Sequence, residues 1–394
     1  MAISEKIGRF MDQSSWIRKM FEEGLRLKKE YGEDRVFDLS LGNPVAEPPE
    51  AVRQALVEAA GDARPGLHRY MPNAGFPETR AAVAAHLSAE CGVPLGADHI
   101  VMVCGAAGGL NITLKTLLDP GDEVIIFSPY FVEYLFYADN HGGRAVVVPC
   151  LPDFTLDLDA LRRAVTPKTR AVIINSPNNP TGVVYSRKHL EDLAGVLREG
   201  SGRIGRPIFL ISDDPYKKIV FDGVETPNIL ELYPDSLYVT SHSKDLALPG
   251  ERIGYVAMHP DCTDGPRLMG GLIFCNRVLG FVNAPALMQR VVARVQDATV
   301  DLESYRRLRD LLYNELKRIG YDVVRPQGAF YFFPKSPLED DLAFVELLTR
   351  RRVLVVPGRG FGTPGYFRIA YCQPERVVEG ALEGLEKAFR EAAG

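Results

Sequence analysis

The chain has few of the features that mark several large classes of protein. Its six cysteines include no C-x-x-C pair, so the sequence indicates neither a zinc site nor a disulfide framework. The 46 Lys and Arg residues are outnumbered by 51 Asp and Glu, which leaves no basic excess to neutralise nucleic-acid phosphates. No run approaches the roughly eighteen apolar residues of a membrane span, and the first residues lack the apolar stretch of a secretion signal. We therefore predict a cytoplasmic protein that binds neither nucleic acid nor a membrane.

The chain does contain enough material for more than one hydrophobic core. Its 394 residues exceed the length at which a single core usually stops growing, and 46% of them are hydrophobic. Between Ile100 and Met258, short β-branched runs alternate with longer stretches of helical periodicity, which is typical of crossover units on a parallel sheet. The seven runs are IVMVC, EVIIFSP, AVVVP, AVIINSP, IFLISDD, LYVTSHS and RIGYVAM.

The two ends of the chain have a different order of predicted helices and strands. Ser14–Tyr31 has the apolar spacing of a helix, and the sequence after Asn283 predicts a charged helix from about Gln296 to Ile319, then strand-like AFYFFP, VLVVPG and YFRIAY, then a last helix. We expect an α/β fold with a large domain over residues 41–280, built on a mostly parallel seven-stranded sheet flanked by helices. Residues 1–40 and 281–394 would form a smaller α+β domain, because a helix that precedes the sheet needs a partner surface.

Small and polar residues follow four of the strand runs. They are Gly105–Gly109, which opens a helix, Asn178–Gly182, Asp213–Tyr216, and Lys244, which precedes Arg252 by eight residues. Each feature alone is more often a turn, close packing or a solvated charge. In an open parallel sheet, however, ligands bind at the carboxyl ends of the strands. Four such segments at that edge favour one shared site.

Three segments give this pattern a more specific meaning: NSPNNPTG at 175–182, SDDPY at 212–216 and SHSKDLALPGERIGY at 241–255. With these motifs in this order, the chain resembles the class I and II aminotransferases of the fold-type I pyridoxal 5'-phosphate (PLP) enzymes. The resemblance extends from LSLGNP at Leu39 to FRIAY at Phe367. It implies the PLP-dependent transferase fold type I, PLP as cofactor, and transfer of an amino group between an L-amino acid and a 2-oxo acid through a Schiff base on Lys244.

The resemblance also implies roles for residues around the cofactor. Lys244 would be the covalent holder and proton carrier, Asp213 would pair with the pyridine nitrogen, and Tyr216 and Asn179 would contact the ring 3'-oxygen. Lys244, Asp213 and Tyr216 are thus the predicted catalytic residues. The remaining predicted cofactor contacts are the Gly105, Ala106 and Ala107 backbone, Ser241 and Arg252 at the phosphate, and Phe131 on the ring, with Tyr130 as the alternative.

The same resemblance implies how a substrate and a second subunit take part. Arg368 in YFRIAY would clamp the substrate carboxylate, assisted by Gly42 and Asn179. Tyr70 resembles a tyrosine that reaches the phosphate of the neighbouring subunit, which predicts a homodimer with shared active sites, and Asn283 is placed in the same region. Ala107 occupies a position where one subgroup of aspartate aminotransferases has a lysine, so the use of aspartate stays open.

Two alternatives remain open at this point. A PLP-dependent β-lyase would use the same lysine, aspartate and arginine and would release pyruvate without a 2-oxo acid acceptor. A non-catalytic PLP-binding regulatory module, of the kind fused to DNA-binding domains, belongs to another class, and the acidic balance of this chain argues against it. Acceptor dependence separates the first alternative from transfer, and a DNA shift assay tests the second.

Overall fold

The protein is described here by a computed structural model, which covers residues 2–13 and 16–394. The strands, numbered along the chain, are β1 (Phe37–Asp38), β2 (Ile100–Val103), β3 (Glu123–Ser128), β4 (Arg144–Pro149), β5 (Thr169–Ile174), β6 (Phe209–Asp213), β7 (Ser236–Ser241), β8 (Gly254–Met258), β9 (Tyr331–Phe332), β10 (Val353–Leu354), β11 (Val356–Pro357) and β12 (Phe367–Ala370). The helices are α1 (Glu5–Gln13), α2 (Trp16–Tyr31), α3 (Glu50–Gly61), α4 (Pro77–Cys91), α5 (Gly105–Leu117), α6 (Glu133–Asn140), α7 (Leu158–Ala164), α8 (Arg187–Ile204), α9 (Gly265–Val278), α10 (Ala286–Val292), α11 (Leu302–Ile319), α12 (Asp341–Arg350) and α13 (Glu375–Ala393).

A seven-stranded sheet forms the centre of the molecule, in the order β2-β8-β7-β6-β5-β3-β4. The strands from β7 to β4 are parallel, and β8 is antiparallel to both of its neighbours. Each predicted run forms one strand, so the mostly parallel α/β sheet is confirmed. Alternate residues of β2 face opposite cores, with Val101 and Val103 in one and Ile100 and Met102 in the other, as the two-residue period of a strand requires.

The C-terminal part of the chain has its own smaller sheets. β9, β12 and β11 pair antiparallel, while β1 pairs parallel with β10 through Phe37 and Val353. The VLVVPG run thus divides between β10 and β11. α11 and α12 each contact α13. The predicted domain boundary near residue 280 stays a prediction; Met288 and Val291 of α10 belong to the same buried cluster as Tyr255 of the central sheet.

One predicted helix start differs from the structure. The charged helix predicted from Gln296 begins instead at Leu302, because the Asp301 side chain caps it by accepting a hydrogen bond from the Glu303 N–H. Gln296 instead donates its side-chain amide to the Val292 carbonyl, at the end of the preceding helix. The predicted first helix is present as α2, and its expected start at Ser14 lies outside the described residues.

Within residues 2–13 and 16–394, no helix combines the length and the apolar composition needed to cross a membrane.

Candidate active site

A cavity of about 270 Å³ opens at the carboxyl edge of the central sheet and extends towards β9 and β12. It brings together most of the residues that the sequence predicted for one site. Those that line it are Gly42, Ala106, Ala107, Phe131, Asn179, Asp213, Tyr216, Ser241, Lys244, Arg252 and Arg368. The parallel strands explain the convergence, because β5, β6 and β7 all end at this edge and each is followed directly by residues of the site.

Lys244 lies three residues beyond the end of β7, with its amine inside the cavity. Its Nζ donates a 2.6 Å hydrogen bond to the carbonyl of Gly42 and lies 5.8 Å from the centre of the Phe330 ring. Burial lowers the pKa of Lys244 to about 8, and the positive charges of Arg368 and Arg252 act in the same direction. The amine is therefore uncharged in a sizeable fraction just above neutral pH, which suits a nucleophile.

Asp213 is the last residue of β6, and its carboxylate is buried beside the cavity. The Tyr134 hydroxyl donates a 2.6 Å hydrogen bond to Oδ2, while Oδ1 has no partner among the residues that the structure describes. Burial raises the pKa of Asp213 to about 7, against the opposing effect of the Tyr134 hydrogen bond. A buried carboxylate oxygen without a partner is costly. The protonated nitrogen of a pyridinium ring would supply that partner, so the site fits PLP.

A cradle for a phosphate group lies at the N-terminus of α5. Gly105 does not line the cavity, but its φ of 71° and its missing side chain make room for Arg252, since a Cβ there would lie 2.7 Å from a guanidinium nitrogen. Ala106 and Ala107 form the first turn, where backbone N–H groups lack intrahelical acceptors. With the Ser241 hydroxyl nearby, the arrangement provides donors and a positive charge for a dianion.

Arg368, in β12, is a buried guanidinium held by two fixed acceptors. Its Nη1 donates to Oδ1 of Asn179 at 3.0 Å and its Nη2 donates to the carbonyl of Ser40 at 2.6 Å. The rings of Tyr331 and Phe361 lie 4.7 and 4.8 Å from its Cζ. Its Nε has no partner within the described part of the chain. A rigid, buried cation with an unused donor is suited to bind a planar carboxylate.

Of the two aromatic candidates for the cofactor ring, Phe131 lines the cavity and packs edge-on against Tyr134, with ring centres 5.7 Å apart. Tyr130 faces the loop that follows β11 instead: its N–H bonds to the carbonyl of Phe361, and its ring lies against Gly362. The geometry therefore favours Phe131 over Tyr130 for the ring contact.

Several residues of the cavity wall were not predicted from the sequence. They are Leu110, Tyr134, Tyr137, Asn175, Pro215, Ser243, Pro249 and Tyr331. The sequence could have indicated Tyr134, because it follows Phe131 by three residues and so shares its side of the chain as α6 begins. No sequence feature indicated Tyr331, because it comes from β9, in a different sheet and far along the chain.

The structure does not bring Tyr70 into the cavity of Lys244. Tyr70 is 90% exposed and, with Asn283, lines a separate cavity of about 190 Å³. The Asn283 side-chain amide donates to the carbonyl of Pro72 at 3.0 Å. Their predicted roles across a subunit interface stay predictions.

Known proteins similar to this chain cover nearly all of it. The family model for aminotransferase class I and II matches residues 34–385. A probable aspartate/prephenate aminotransferase of Thermus aquaticus is 34% identical over 369 residues, which are 89% of this chain and 91% of that protein. The aromatic-amino-acid aminotransferase 2 of Thermococcus litoralis is 32% identical over 403 residues, 99% of each chain.

Solved structures extend the similarity to the fold. An amino transferase from Eubacterium rectale is 40% identical and superposes with a TM-score of 0.96 over 100% of both chains. The aspartate aminotransferase of Thermus thermophilus with maleate is 30% identical, with a TM-score of 0.85 over 95% of this chain and 97% of that one. The predictions of family, fold type, cofactor and amino transfer are confirmed, and neither the β-lyase nor the regulatory module is favoured. The chain belongs to the class I and II aminotransferases, PLP-dependent enzymes of fold type I.

Proposed function

We propose that this aminotransferase moves an amino group between an L-amino acid and a 2-oxo acid, with Lys244 as covalent holder of the cofactor and as proton carrier. One observation carries the proposal: the Lys244 amine, the Asp213 carboxylate and the Arg368 guanidinium line a single cavity. Bound PLP supplies an electron-accepting ring that stabilises the charge left when the substrate loses its Cα proton. The chain's own residues bind, orient and move that proton.

Lys244 provides the mobile base of the site. Because burial and two nearby arginines lower its pKa to about 8, Nζ can accept a proton from the substrate Cα and return it to a neighbouring carbon. The Gly42 carbonyl, 2.6 Å away, holds the amine inside the cavity that Arg368 also lines. The proton transfer thus takes place within reach of a bound substrate.

Asp213 would hold the ring nitrogen of the cofactor. Its free Oδ1 would accept a hydrogen bond from the protonated ring nitrogen, while Tyr134 keeps Oδ2 in place. A cation beside a buried carboxylate favours the ionised form, so the raised pKa of Asp213 falls once the ring nitrogen is seated. Asn175 fixes the same stretch of backbone by donating its side-chain amide to the Asp213 carbonyl at 2.5 Å.

Arg368 orients the substrate. A guanidinium that already donates to Asn179 and Ser40 cannot rotate freely, and the Tyr331 and Phe361 rings keep water from its faces. A carboxylate bound there by two parallel hydrogen bonds would present its Cα to Lys244.

We further propose that the enzyme prefers uncharged, aromatic side chains to a second carboxylate. The cations of the cavity wall in the described chain are Lys244, Arg252 and Arg368, and each already has a task in the proposed mechanism. Ala107 adds no charge, while several tyrosines add aromatic surface. The relative from Thermococcus litoralis is named an aromatic-amino-acid aminotransferase, whereas the relative from Thermus aquaticus is named a probable aspartate/prephenate aminotransferase.

A panel of amino donors, each assayed with 2-oxoglutarate and with pyruvate, tests both parts. We expect turnover to depend strictly on a 2-oxo acid acceptor and kcat/KM to be highest for aromatic donors. Pyruvate release from a cysteine conjugate without an acceptor would instead establish lyase activity. Aspartate as the best donor would contradict the proposed side-chain preference while leaving amino transfer intact.

We propose a homodimer in which each active site takes Tyr70 from the neighbouring subunit. In support, Tyr70 is almost fully exposed, and Phe274 and Val278 on α9 expose about half of their side-chain surface. Mixing the Tyr70→Ala and Lys244→Ala variants tests the arrangement. Mixed dimers would contain one site with both residues intact, so activity should reappear on subunit exchange. Its absence, or a monomer by light scattering, would refute shared sites.

We also propose that the protein resides in the cytoplasm. All six cysteines are free thiols, and four of them are buried in the core: Cys91, Cys262, Cys275 and Cys372. A reducing compartment is where such thiols persist. Cell fractionation with an antibody to this chain tests the assignment.

A further inference from the structure

Tyr331 connects three parts of the site through one side chain. It is buried, with 1% of its surface exposed, and its hydroxyl oxygen lies 2.8 Å from that of Tyr216. Its ring lies 4.7 Å from Cζ of Arg368. A Cβ on Gly42 would lie 2.0 Å from the Tyr331 hydroxyl oxygen, so this hydroxyl fills the space that the glycine leaves.

The direction of the Tyr216–Tyr331 hydrogen bond follows from the charges around the two rings. Arg368 faces Tyr331 directly and stabilises negative charge on its oxygen, which makes Tyr331 the more acidic phenol and the better donor. Burial raises the pKa of Tyr331 to about 12, with Arg368 as the largest effect opposing that rise. Arg368 also lowers the pKa of Tyr216, but burial and the Tyr331 contact outweigh it and raise that pKa well above its usual range. The other titratable groups that face Tyr331 are Cys372 and Tyr305, and neither supplies a positive charge.

We propose that Tyr331 is a positioning residue of the reaction: its hydroxyl donates to Tyr216 and so leaves the proton of Tyr216 directed at the cofactor's 3'-oxygen. The inference rests on the proposed function, in which Tyr216 contacts that oxygen. Hydrogen bonds in a chain polarise one another, so Tyr216 becomes a stronger donor when Tyr331 donates to it. A stronger donor stabilises negative charge on the 3'-oxygen. The cofactor held by Lys244 would then lose its titrating proton at a lower pH.

The test compares Tyr331→Phe with Tyr305→Phe in the purified holoenzyme. Tyr331→Phe keeps the ring beside Arg368 and removes only the hydroxyl. Tyr305 is a buried phenol whose hydroxyl has no hydrogen-bond partner in the described chain and which does not line the cavity, so Tyr305→Phe is a matched control. The readout is the midpoint of the pH titration of the cofactor's visible absorbance. We expect Tyr331→Phe to raise this midpoint by about one pH unit and Tyr305→Phe to leave it unchanged.

A second pair of variants asks whether Tyr331 acts through Tyr216. In a Tyr216→Phe background, Tyr331→Phe should add no further shift, because the relay is already broken. A shift of full size in that background would contradict the proposal, as would an unchanged or lowered midpoint in the single variant. Loss of the cofactor from Tyr331→Phe but not from Tyr305→Phe would also contradict it, since Tyr331 would then hold the cofactor itself.

The wild-type protein separates failure of this inference from failure of the proposed function. A wild-type holoenzyme without a visible band that depends on Lys244 would refute the proposed function. A normal wild-type band, combined with no shift in Tyr331→Phe, would refute the role of Tyr331 alone.

Discussion

The hydroxyl of Tyr134 donates a 2.6 Å hydrogen bond to Oδ2 of Asp213, and this bond leaves Oδ1 as the free oxygen of the carboxylate. The two residues lie in different layers, since Tyr134 belongs to α6 and Asp213 ends β6. Tyr134 therefore determines which way the carboxylate faces. The catalytic role proposed for Asp213 depends on this orientation.

Removal of the Tyr134 hydroxyl should weaken the enzyme without unfolding it. In Tyr134→Phe, Asp213 loses its donor, its pKa rises further and its free oxygen is no longer directed at the ring nitrogen. Removal of one hydrogen bond to a charged group is expected to lower kcat by about 10- to 100-fold. Steady-state kinetics with a good donor measures this loss, and Tyr305→Phe serves as the control. A kcat equal to that of the control would show that Asp213 is oriented by other contacts.

Asp213 should make the cofactor-free enzyme less stable as the pH rises. In the unfolded chain its carboxyl ionises near pH 3.8, and in the folded protein near pH 7, so the folded state binds more protons between these values. The free energy of unfolding then falls with rising pH across that window, by about 4 kcal/mol at most. Below pH 3.8 the carboxyl is neutral in both states and the penalty is absent.

Asp213→Asn removes this penalty and retains an acceptor for Tyr134. Without cofactor, the variant should be more stable than the wild type at pH 8, and the difference should shrink as the pH is lowered to 5. Urea unfolding of both proteins at the two pH values measures it. The holoenzyme of the same variant should lose several orders of magnitude in turnover, because a neutral amide cannot keep the ring nitrogen protonated. A stability difference that does not change with pH would be evidence against a buried, ionisable Asp213.

Substitution of Lys244 should separate covalent attachment from folding. Lys244→Ala should lose the visible absorbance band and transamination turnover, since no other amine lines the cavity within the described chain. Lys115→Ala, at an exposed position near the end of α5, provides the control. Absorbance spectra and a coupled assay give both readouts. Turnover retained in Lys244→Ala would remove this residue from its proposed role.

Arg368→Lys should impair substrate binding and spare the cofactor. Lysine keeps the positive charge but cannot donate to Asn179, Ser40 and a carboxylate from one planar group. We expect KM for amino acids to rise by about 10- to 100-fold, with an unchanged visible spectrum. Arg318→Lys, on the exposed face of α11, is the control for replacing an arginine by a lysine outside the cavity. A KM like that of the control would place the carboxylate elsewhere.

Local sequence patterns predicted the central sheet well, because each strand can be recognised from a run of only a few residues. Alternation of β-branched runs with helical stretches placed all seven strands, and the residues after β5, β6 and β7 proved to share a cavity. The start of α11 was predicted six residues early. Periodicity continues through residues 296–301, whereas a helix begins where a side chain such as Asp301 can cap it.

The sequence alone determined the chemistry available to this protein: a lysine, an aspartate and two arginines in motifs whose order is typical of one family. The aspartate ends a strand and the lysine follows one, and both strands end at one edge of the central sheet. The tertiary structure decided how those groups are tuned. Tyr331 meets Tyr216, 115 residues away, only because the chain leading into β9 pairs with the segment that follows β6, and Tyr134 reaches Asp213 only through the docking of α6. The lowered pKa of Lys244 and the raised pKa of Asp213 both arise mainly from burial, which depends on every element that closes the cavity and on no single stretch of sequence.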